Sequence, residues 1–299
     1  MIIITGANGQ LGRMIAERLL ERVPASGVGV SVRDPERARA LSERGVRVRH
    51  GSFDDAASLR HAFEGASQVL IVSSNTAGAD TVRQHRTAIG AAVAAGARRI
   101  LYTSHMGSNA KSLFEPMRDH AATEAVLQTC GVAFTSLRHG FYISSGLLFM
   151  GPALHTGELV APDDGPVSWT AHADLAEAAA ITLNEEGKLD GITPPLTASA
   201  ALDLNDIAQI AAQLGGRQIQ RVTVPDEQYR AAMVAHGVPE DRATLLLGVF
   251  AASRRREFAA VDPTLERLLG RPPLTIRDGL ASQLAASWSQ PALPDHSQR

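Results

Sequence analysis

The sequence is poor in cysteine, in lysine and in aromatic residues, and it carries almost no net charge. One cysteine in 299 residues, Cys130, excludes an intramolecular disulfide and a metal centre built from cysteines, and we predict no metal site. A formal net charge of −2 gives no support for nucleic-acid binding. No apolar run reaches the roughly 18 residues that a membrane span requires. We therefore expect a cytoplasmic protein that contacts neither nucleic acid nor a membrane.

The first twelve residues carry the strongest signal. A short apolar strand runs into three glycines, Gly6, Gly9 and Gly12, and an amphipathic helical pattern follows at once. The start of such a helix has unpaired backbone N–H groups and a partial positive charge, both of which suit a pyrophosphate. Gly6 permits the turn, Gly9 lets the backbone approach the phosphates, and Gly12 lets the helix pack closely on the strand. The motif predicts a dinucleotide site; a purely structural turn is the alternative.

The end of the second apolar run indicates which dinucleotide is bound. The run from Val28 to Val32 is followed directly by Arg33 and Asp34. At this point of a dinucleotide-binding fold an acidic residue accepts from the ribose 2′-hydroxyl, whereas an arginine accommodates a 2′-phosphate. Because Arg33 takes the first position, we predict NADP(H). A ribose contact by Asp34, and therefore NAD(H), is the alternative.

Strands and helices alternate through residues 1–140, which predicts an α/β protein with a Rossmann-type, doubly wound parallel sheet. We assign residues 1–140 to this NAD(P)-binding domain. Residues 141–288 are mostly helical in pattern and are interpreted as a smaller substrate-binding lobe, not an independent domain. Residues 289–299, with two prolines, are expected to be a disordered tail.

Ligands of such sheets lie beyond the carboxyl ends of the strands. We therefore expect the cofactor to contact residues that follow the strands: Gly6, Asn8, Gly9, Gln10, Leu11, Arg33, Phe53, Ser73, Ser74, Asn75, Thr103 and Ser104. The substrate is expected to contact His105, Met106, Phe141, Tyr142, Phe149 and Trp169. The aromatic members of this second set would form an apolar wall for a flat substrate. Simple packing in the core is the alternative for them.

Several motifs resemble the NmrA-like branch of the atypical short-chain dehydrogenase/reductases. They are the glycine motif, Arg33-Asp34-Pro35, Tyr102-Thr103-Ser104, Thr123-Glu124 and Leu137-Arg138-x-Gly140-x-Tyr142. The resemblance covers nearly the whole chain and is strongest to the bacterial NADPH:quinone oxidoreductases of type 2 and to triphenylmethane reductase. It implies an NADPH-dependent oxidoreductase that reduces a quinone-like or dye-like aromatic substrate.

One departure from the wider superfamily bears on the chemistry. None of the three tyrosines, Tyr102, Tyr142 and Tyr229, has a lysine four residues further on, so the usual Tyr-x-x-x-Lys proton donor is absent. The resemblance places His120 where other NmrA-like reductases have a catalytic lysine. A quinone has less need of a proton donor than a ketone, because its reduced oxygen is a weakly basic phenolate. We therefore predict direct hydride transfer, with His120 and Tyr142 as the candidate catalytic residues.

Two alternatives stay open. NmrA-like proteins also include regulators that sense NADP(H) without catalysis, and these lack the tyrosine–lysine pair as well. The chain could equally be a reductase with a dedicated enone or imine substrate. A reductase needs an open pocket facing the nicotinamide, and a sensor does not. The sequence leaves open whether the protein is a monomer or a homodimer.

Overall fold

Branched aliphatic residues that are buried on both sides form the central strands. Ile3, Ile4, Val30, Leu70 and Leu101 are each at most 1% exposed. Strands of this kind belong to parallel sheets, because helices cover both faces of such a sheet. The computed structural model, which describes residues 1–74, 76–151 and 153–288, contains a seven-stranded sheet whose neighbouring strands all pair in parallel.

The strands occupy the following residues. They are β1 (Ile2–Thr5), β2 (Val28–Val32), β3 (Arg47–His50), β4 (Gln68–Ile71), β5 (Arg99–His105), β6 (Ala133–His139), β7 (Phe141–Tyr142), β8 (Glu158–Ala161), β9 (Trp169–Thr170), β10 (Gly191–Ile192) and β11 (Gln220–Thr223). The order in the large sheet is β10-β6-β5-β4-β1-β2-β3. The chain reverses direction across the sheet between β1 and β4, which is where such folds bind ligands.

The helices are α1 (Gln10–Leu20), α2 (Arg39–Glu43), α3 (Ala56–Phe63), α4 (Ala79–Ala94), α5 (Glu115–Gln128), α6 (Ile143–Met150), α7 (Ala153–Thr156), α8 (His172–Asn184), α9 (Leu204–Gly215), α10 (Asp226–Ala235), α11 (Glu240–Arg254), α12 (Thr264–Leu269) and α13 (Ile276–Trp288). One core layer joins α1 and α8 to the sheet. A second layer joins α3, α4 and α5 to the opposite face. The prediction of a doubly wound Rossmann sheet is confirmed.

A further core lies among α6, α9, α11 and α13 and two short parallel pairs, β8 with β11 and β7 with β9. Phe141, Trp169, Phe250 and Phe258 are buried in it. This is the smaller, mostly helical lobe that the sequence predicts. It lies after β6 and therefore at the carboxyl end of the sheet, next to the expected ligand site.

The chain passes between sheet and lobe more than once. Helices α8 and α12 follow residue 140, yet Leu175, Ala179 and Leu265 pack into the core on the α1 face of the sheet. Strand β10 also follows residue 140 and pairs with β6. The expected boundary at residue 140 therefore does not divide these elements in space, because the alanine-rich α8 packs closely against α1. The predicted disordered tail, residues 289–299, lies outside the described residues.

Two features that would bear on function are absent from the described ranges. In residues 1–74, 76–151 and 153–288 no helix is both long and apolar enough to cross a membrane. In the same ranges no three His, Cys, Asp or Glu side chains are grouped so that they could hold a metal ion.

Candidate functional site

The glycine motif forms a tight turn against the first helix. Gly6 has a φ of +68° and is held to β2 by its N–H, which donates to the Ser31 carbonyl at 3.1 Å. The Gly9 N–H donates to the Gly6 carbonyl at 2.9 Å. A Cβ atom on Gly12 would lie 2.4 Å from that same carbonyl oxygen. The motif therefore fits only glycine at positions 6 and 12, and it presses the start of α1 onto the turn.

The start of α1 is open to a ligand. Gly9 caps the helix without a side-chain hydrogen bond, and the first turn contains no acidic residue. Asn8 Oδ1 and Ser31 Oγ are buried beside it without a hydrogen-bond partner among the described residues. Unpaired N–H groups, a helix dipole and unpaired polar oxygens at one place fit the pyrophosphate and ribose of a dinucleotide.

A cleft of about 580 Å³ starts at this turn and runs along the carboxyl ends of the strands. Its lining includes Gly6, Asn8, Gly9, Arg33 and Phe53 from the predicted cofactor set, and Ser73 and Ser74 at the far side. Gln10 follows at the exposed start of α1, whereas the Leu11 side chain is buried, so that only its backbone can face a ligand. Asn75 lies outside the described residues.

The adenosine end of the cleft has a positive rim. Arg33 and Arg37 are exposed and both line the cleft. Asp34 lines the cleft beside them, and its Oδ1 accepts from the Glu36 N–H at 3.1 Å, which caps the short 3₁₀ turn that begins at Pro35. The two guanidinium groups at this rim outnumber the one partly occupied carboxylate, which suits a phosphate better than a ribose hydroxyl. Sequence reasoning misses Arg37, although it lies four residues after Arg33 in a turn that begins with proline.

Two of the predicted cofactor residues, Thr103 and Ser104, hold other residues in position and do not line the cleft themselves. Thr103 is buried in β5, and its hydroxyl accepts from the Ser73 N–H at 2.9 Å, so it holds Ser73 in the cleft lining. Ser104 is buried on the other face of β5 and donates to Glu124 at 2.8 Å. Both side chains contribute to the shape of the site, and a direct contact with cofactor stays a prediction for them.

A cluster of neutral histidines lies behind the far end of the cleft. The Tyr102 hydroxyl is 2.7 Å from His120 Nδ1 and 3.4 Å from His85 Nδ1. The His105 ring stacks on that of His120 with centroids 6.1 Å apart. Burial lowers the pKa of His120 to about 4 and that of His85 to about 3. Burial also lowers the pKa of His105 well below its ordinary value. These imidazoles are therefore uncharged near neutral pH.

The predicted substrate residues form a chain of ring contacts. His105 meets Phe141 edge-on at 5.0 Å, Phe141 meets Trp169 at 5.4 Å, and Trp169 meets Phe149 at 6.5 Å. Trp169 also donates its indole N–H to the Leu202 carbonyl. Met106 is likewise nearly buried. The structure brings this set together as lobe core, and its contact with substrate stays a prediction.

Tyr142 stands apart from that chain. It is partly exposed, and its ring lies 4.0 Å from the ring of His172 at the start of α8. Burial raises the pKa of Tyr142 to about 12, so its hydroxyl is protonated at neutral pH and can donate a hydrogen bond. Phe114 and Phe258, which sequence reasoning misses, close the aromatic cluster around Phe141 at 6.2 and 5.1 Å.

A buried ion pair holds β5, α5 and β6 together beneath the histidines. Both oxygens of Glu124 accept from the Arg138 guanidinium, at 3.0 and 2.7 Å, and also from the hydroxyls of Ser104, Ser108 and Ser136. Burial alone would raise the pKa of Glu124, but the hydrogen bonds from Arg138 and the serines outweigh it and lower that pKa. Glu124 is therefore ionised in the folded protein.

We expect Glu124→Gln to lower the free energy of unfolding by about 3 kcal/mol, because it leaves Arg138 without its counter-charge. Glu21→Gln, which weakens only surface pairs with Arg18 and Arg22, should change it by less than about 0.5 kcal/mol. Denaturant unfolding measures both. The lowered pKa makes the Glu124 contribution complete above pH 4.5 and lost as the pH falls further. The difference in the free energy of unfolding between wild type and Glu124→Gln should therefore become smaller in acid. A difference that does not change with pH would show that the ionised Glu124 carboxylate is not its source.

The sheet order, the glycine turn and the cleft at the switch point define a dinucleotide-binding protein of the Rossmann type. A model of the NAD(P)H-binding family matches residues 6–186. Quinone oxidoreductase 2 of Escherichia coli (strain K12) is 33% identical over 94% of this chain and 98% of that protein. The chain belongs to this NAD(P)H-binding, NmrA-like family of oxidoreductases.

Solved structures agree with this assignment. The Escherichia coli NADPH-dependent quinone oxidoreductase complexed with NADPH superposes with a TM-score of 0.89 at 31% identity, covering 95% of this chain and 100% of that one. The Citrobacter triphenylmethane reductase complexed with NADP(H) gives 0.87 at 30% identity, covering 95% and 99%. The predictions of the family, the fold and an NAD(P)H cofactor are confirmed.

Proposed function

We propose that the protein is a reductase that uses NADPH to reduce a flat, electrophilic acceptor such as a quinone or a cationic dye. The observation that carries the proposal is the cleft, which joins an open helix N-terminus to two exposed arginines at one end. At the other end it is lined by Ser73 and Ser74, and the Ser74 N–H contacts His85 of the histidine cluster. The names of the two relatives above, a quinone oxidoreductase and a triphenylmethane reductase, support the choice of acceptor.

The residues of the cleft fit the parts of the cofactor in turn. The backbone of Gly9 and the start of α1 would hold the pyrophosphate, Arg33 and Arg37 would hold a 2′-phosphate, and Ser73 would face the nicotinamide ribose. When bound, NADPH supplies a hydride. The protein supplies position, since the acceptor must lie against the nicotinamide and water must be excluded.

The surroundings of the histidines match an uncharged or delocalised acceptor better than a compact ion. His105, His120 and His85 are neutral, and the rings of Phe141 and Phe258 pack edge-on around His105. Neutral imidazoles donate hydrogen bonds without adding charge. The described residues contain no tyrosine–lysine donor pair, and a quinone oxygen, which becomes a weakly basic phenolate on reduction, has little need of one.

One observation favours a second function, a sensor of NADP(H) that performs no reaction. Phe141 and Trp169 are less than a tenth exposed and pack against each other, so the aromatic wall does not itself stand open. A sensor would need only the cofactor cleft. The oligomeric state (monomer or homodimer) and the cytoplasmic location stay predictions under either function.

The experiment is a set of turnover assays in which NADPH oxidation is followed with a panel of quinones and a triphenylmethane dye, beside the same assays with NADH. A fluorescence titration measures cofactor binding in the same preparation. We expect turnover that favours NADPH. Tight binding of NADPH with no oxidation by any acceptor would reject the reductase and leave the sensor.

A further inference from the structure

The hydrogen bonds around His85 fix the position of its proton. The Ser74 backbone N–H, which can only donate, points at His85 Nε2 at 2.9 Å. A neutral imidazole has a single N–H, so the proton of His85 is on Nδ1. That Nδ1 lies 2.9 Å from the Thr123 hydroxyl, whose own hydrogen is directed to the Asp119 carbonyl at 2.9 Å. Every donor in this chain therefore has an acceptor.

This arrangement determines what Tyr102 can do. The Tyr102 hydroxyl is fully buried and contacts His120 Nδ1 at 2.7 Å and His85 Nδ1 at 3.4 Å; the hydroxyls of Ser73 and Thr123 also neighbour it. His85 Nδ1 already carries a proton and cannot accept. The 2.7 Å contact with His120 Nδ1 is a short, well-formed hydrogen bond, and the hydroxyl hydrogen of Tyr102 is assigned to it. If His120 Nδ1 accepts, the proton of the neutral His120 ring is on Nε2.

We propose that Tyr102 is a positioning residue that locks His120 in its Nε2–H form, and that this N–H is the group that hydrogen-bonds the acceptor oxygen during reduction. The inference rests on the proposed reductase function for its second half only. Tyr102 cannot touch a substrate because it is fully buried, whereas His120 is partly exposed. No proton leaves His120: the reduced oxygen keeps the electron pair as a phenolate, stabilised by the N–H, and takes its proton from water afterwards.

A neutral donor differs from an acid in its dependence on pH. The titratable groups facing His120 are His85 on α4, Tyr102 and His105 on β5, Glu124 on α5, and His139 on β6. Burial dominates, and even with Glu124 nearby it lowers the pKa of His120 to about 4. The turnover number should therefore show no step near pH 6.5. A histidine that acted as a proton donor would lose activity as the pH rises through its pKa.

The direct test is nitrogen NMR of the ring atoms in protein labelled with ¹⁵N-histidine, with His120 assigned from a His120→Gln sample. In wild type we expect His120 with a bare Nδ1 and a protonated Nε2, with or without NADP⁺. In Tyr102→Phe we expect this single form to give way to a mixture of both. Tyr229→Phe, which removes a hydroxyl in the lobe away from the cluster, should leave the His120 signals unchanged. A wild-type His120 protonated on Nδ1 would overturn the proposal.

Steady-state kinetics test the second half. Because the partner that fixes a tautomer supports the group that acts, we expect Tyr102→Phe to lower kcat about tenfold, with the KM for NADPH unchanged. Tyr229→Phe should retain wild-type kcat. If wild type reduces no acceptor, the reductase function fails while the NMR result stands by itself. If wild type turns over and Tyr102→Phe equals it, the role of the locked N–H is rejected.

Discussion

Replacing Gly12 by alanine should weaken NADPH binding roughly hundredfold or more, since two or three backbone contacts to phosphate would be lost. The added Cβ would lie 2.4 Å from the Gly6 carbonyl oxygen and 2.7 Å from its carbonyl carbon. Both atoms are backbone, so the whole turn must move away from α1. A fluorescence titration with NADPH measures the loss, and thermal unfolding measures the accompanying destabilisation.

The matched control is Gly90→Ala. Gly90 lies on the exposed side of α4, with no atom within 4 Å of the position where its Cβ would be. Alanine there should raise the free energy of unfolding by about 0.5–1 kcal/mol through its higher helix propensity. NADPH affinity should not change. Unaltered NADPH binding by Gly12→Ala would show that the glycine turn does not hold the cofactor.

Arg33→Ala should lower the affinity for NADPH by roughly tenfold to a hundredfold, the range for one charge-assisted hydrogen bond to a phosphate. Its effect on NADH should be small, because NADH carries no 2′-phosphate. The ratio of the two dissociation constants therefore isolates this contact. Arg37→Ala should change the ratio in the same direction, since its side chain lines the same end of the cleft.

Arg39→Ala provides the control for charge alone. Arg39 is exposed two residues beyond Arg37, pairs with Glu43, and is not part of the cleft lining. Arg39→Ala should leave the ratio of the dissociation constants for NADPH and NADH near that of wild type. An equal fall in affinity for both cofactors in Arg33→Ala would contradict the 2′-phosphate contact and favour a ribose contact by Asp34.

The parts of the fold that the sequence predicts well are those set by local chemistry. The turn at Gly6, Gly9 and Gly12 has a backbone requirement that three nearby residues meet on their own. Strands such as β4 and β5 are buried on both faces, which makes them continuous runs that are easy to recognise. Arg33 can be placed because it follows such a strand directly.

Other features depend on contacts between distant residues. Strands β7, β9 and β10 have two residues each, too few to show an alternation. Strand β10 pairs with the longer β6, and β7 and β9 pair with each other, so each depends on a partner distant in the sequence. The return of α8 to the sheet depends on its small residues fitting against α1, which lies far earlier in the chain. A helical pattern reveals which face is apolar but not which core receives that face.

The chemistry of the site is the least predictable part. The resemblance singles out His120, which takes the place of a catalytic lysine in other NmrA-like reductases, as a candidate catalytic residue. The structure lowers its pKa to about 4, because the ring is packed against Tyr102 and His105. In the sequence Tyr102 is a strand residue without a role, since the lysine that would mark it is absent. Only the hydrogen bond between the Tyr102 hydroxyl and His120 Nδ1 suggests that Tyr102 positions His120.

The central claim is that the cofactor held in this cleft reduces an acceptor directly, and a single-turnover experiment tests it. One equivalent of NADPH is bound to the protein and mixed with excess quinone, and the nicotinamide absorbance is followed. We predict complete oxidation of the bound NADPH in one phase that is slower when the transferred hydrogen is deuterium. Bound NADPH that persists in the presence of quinone would contradict the claim.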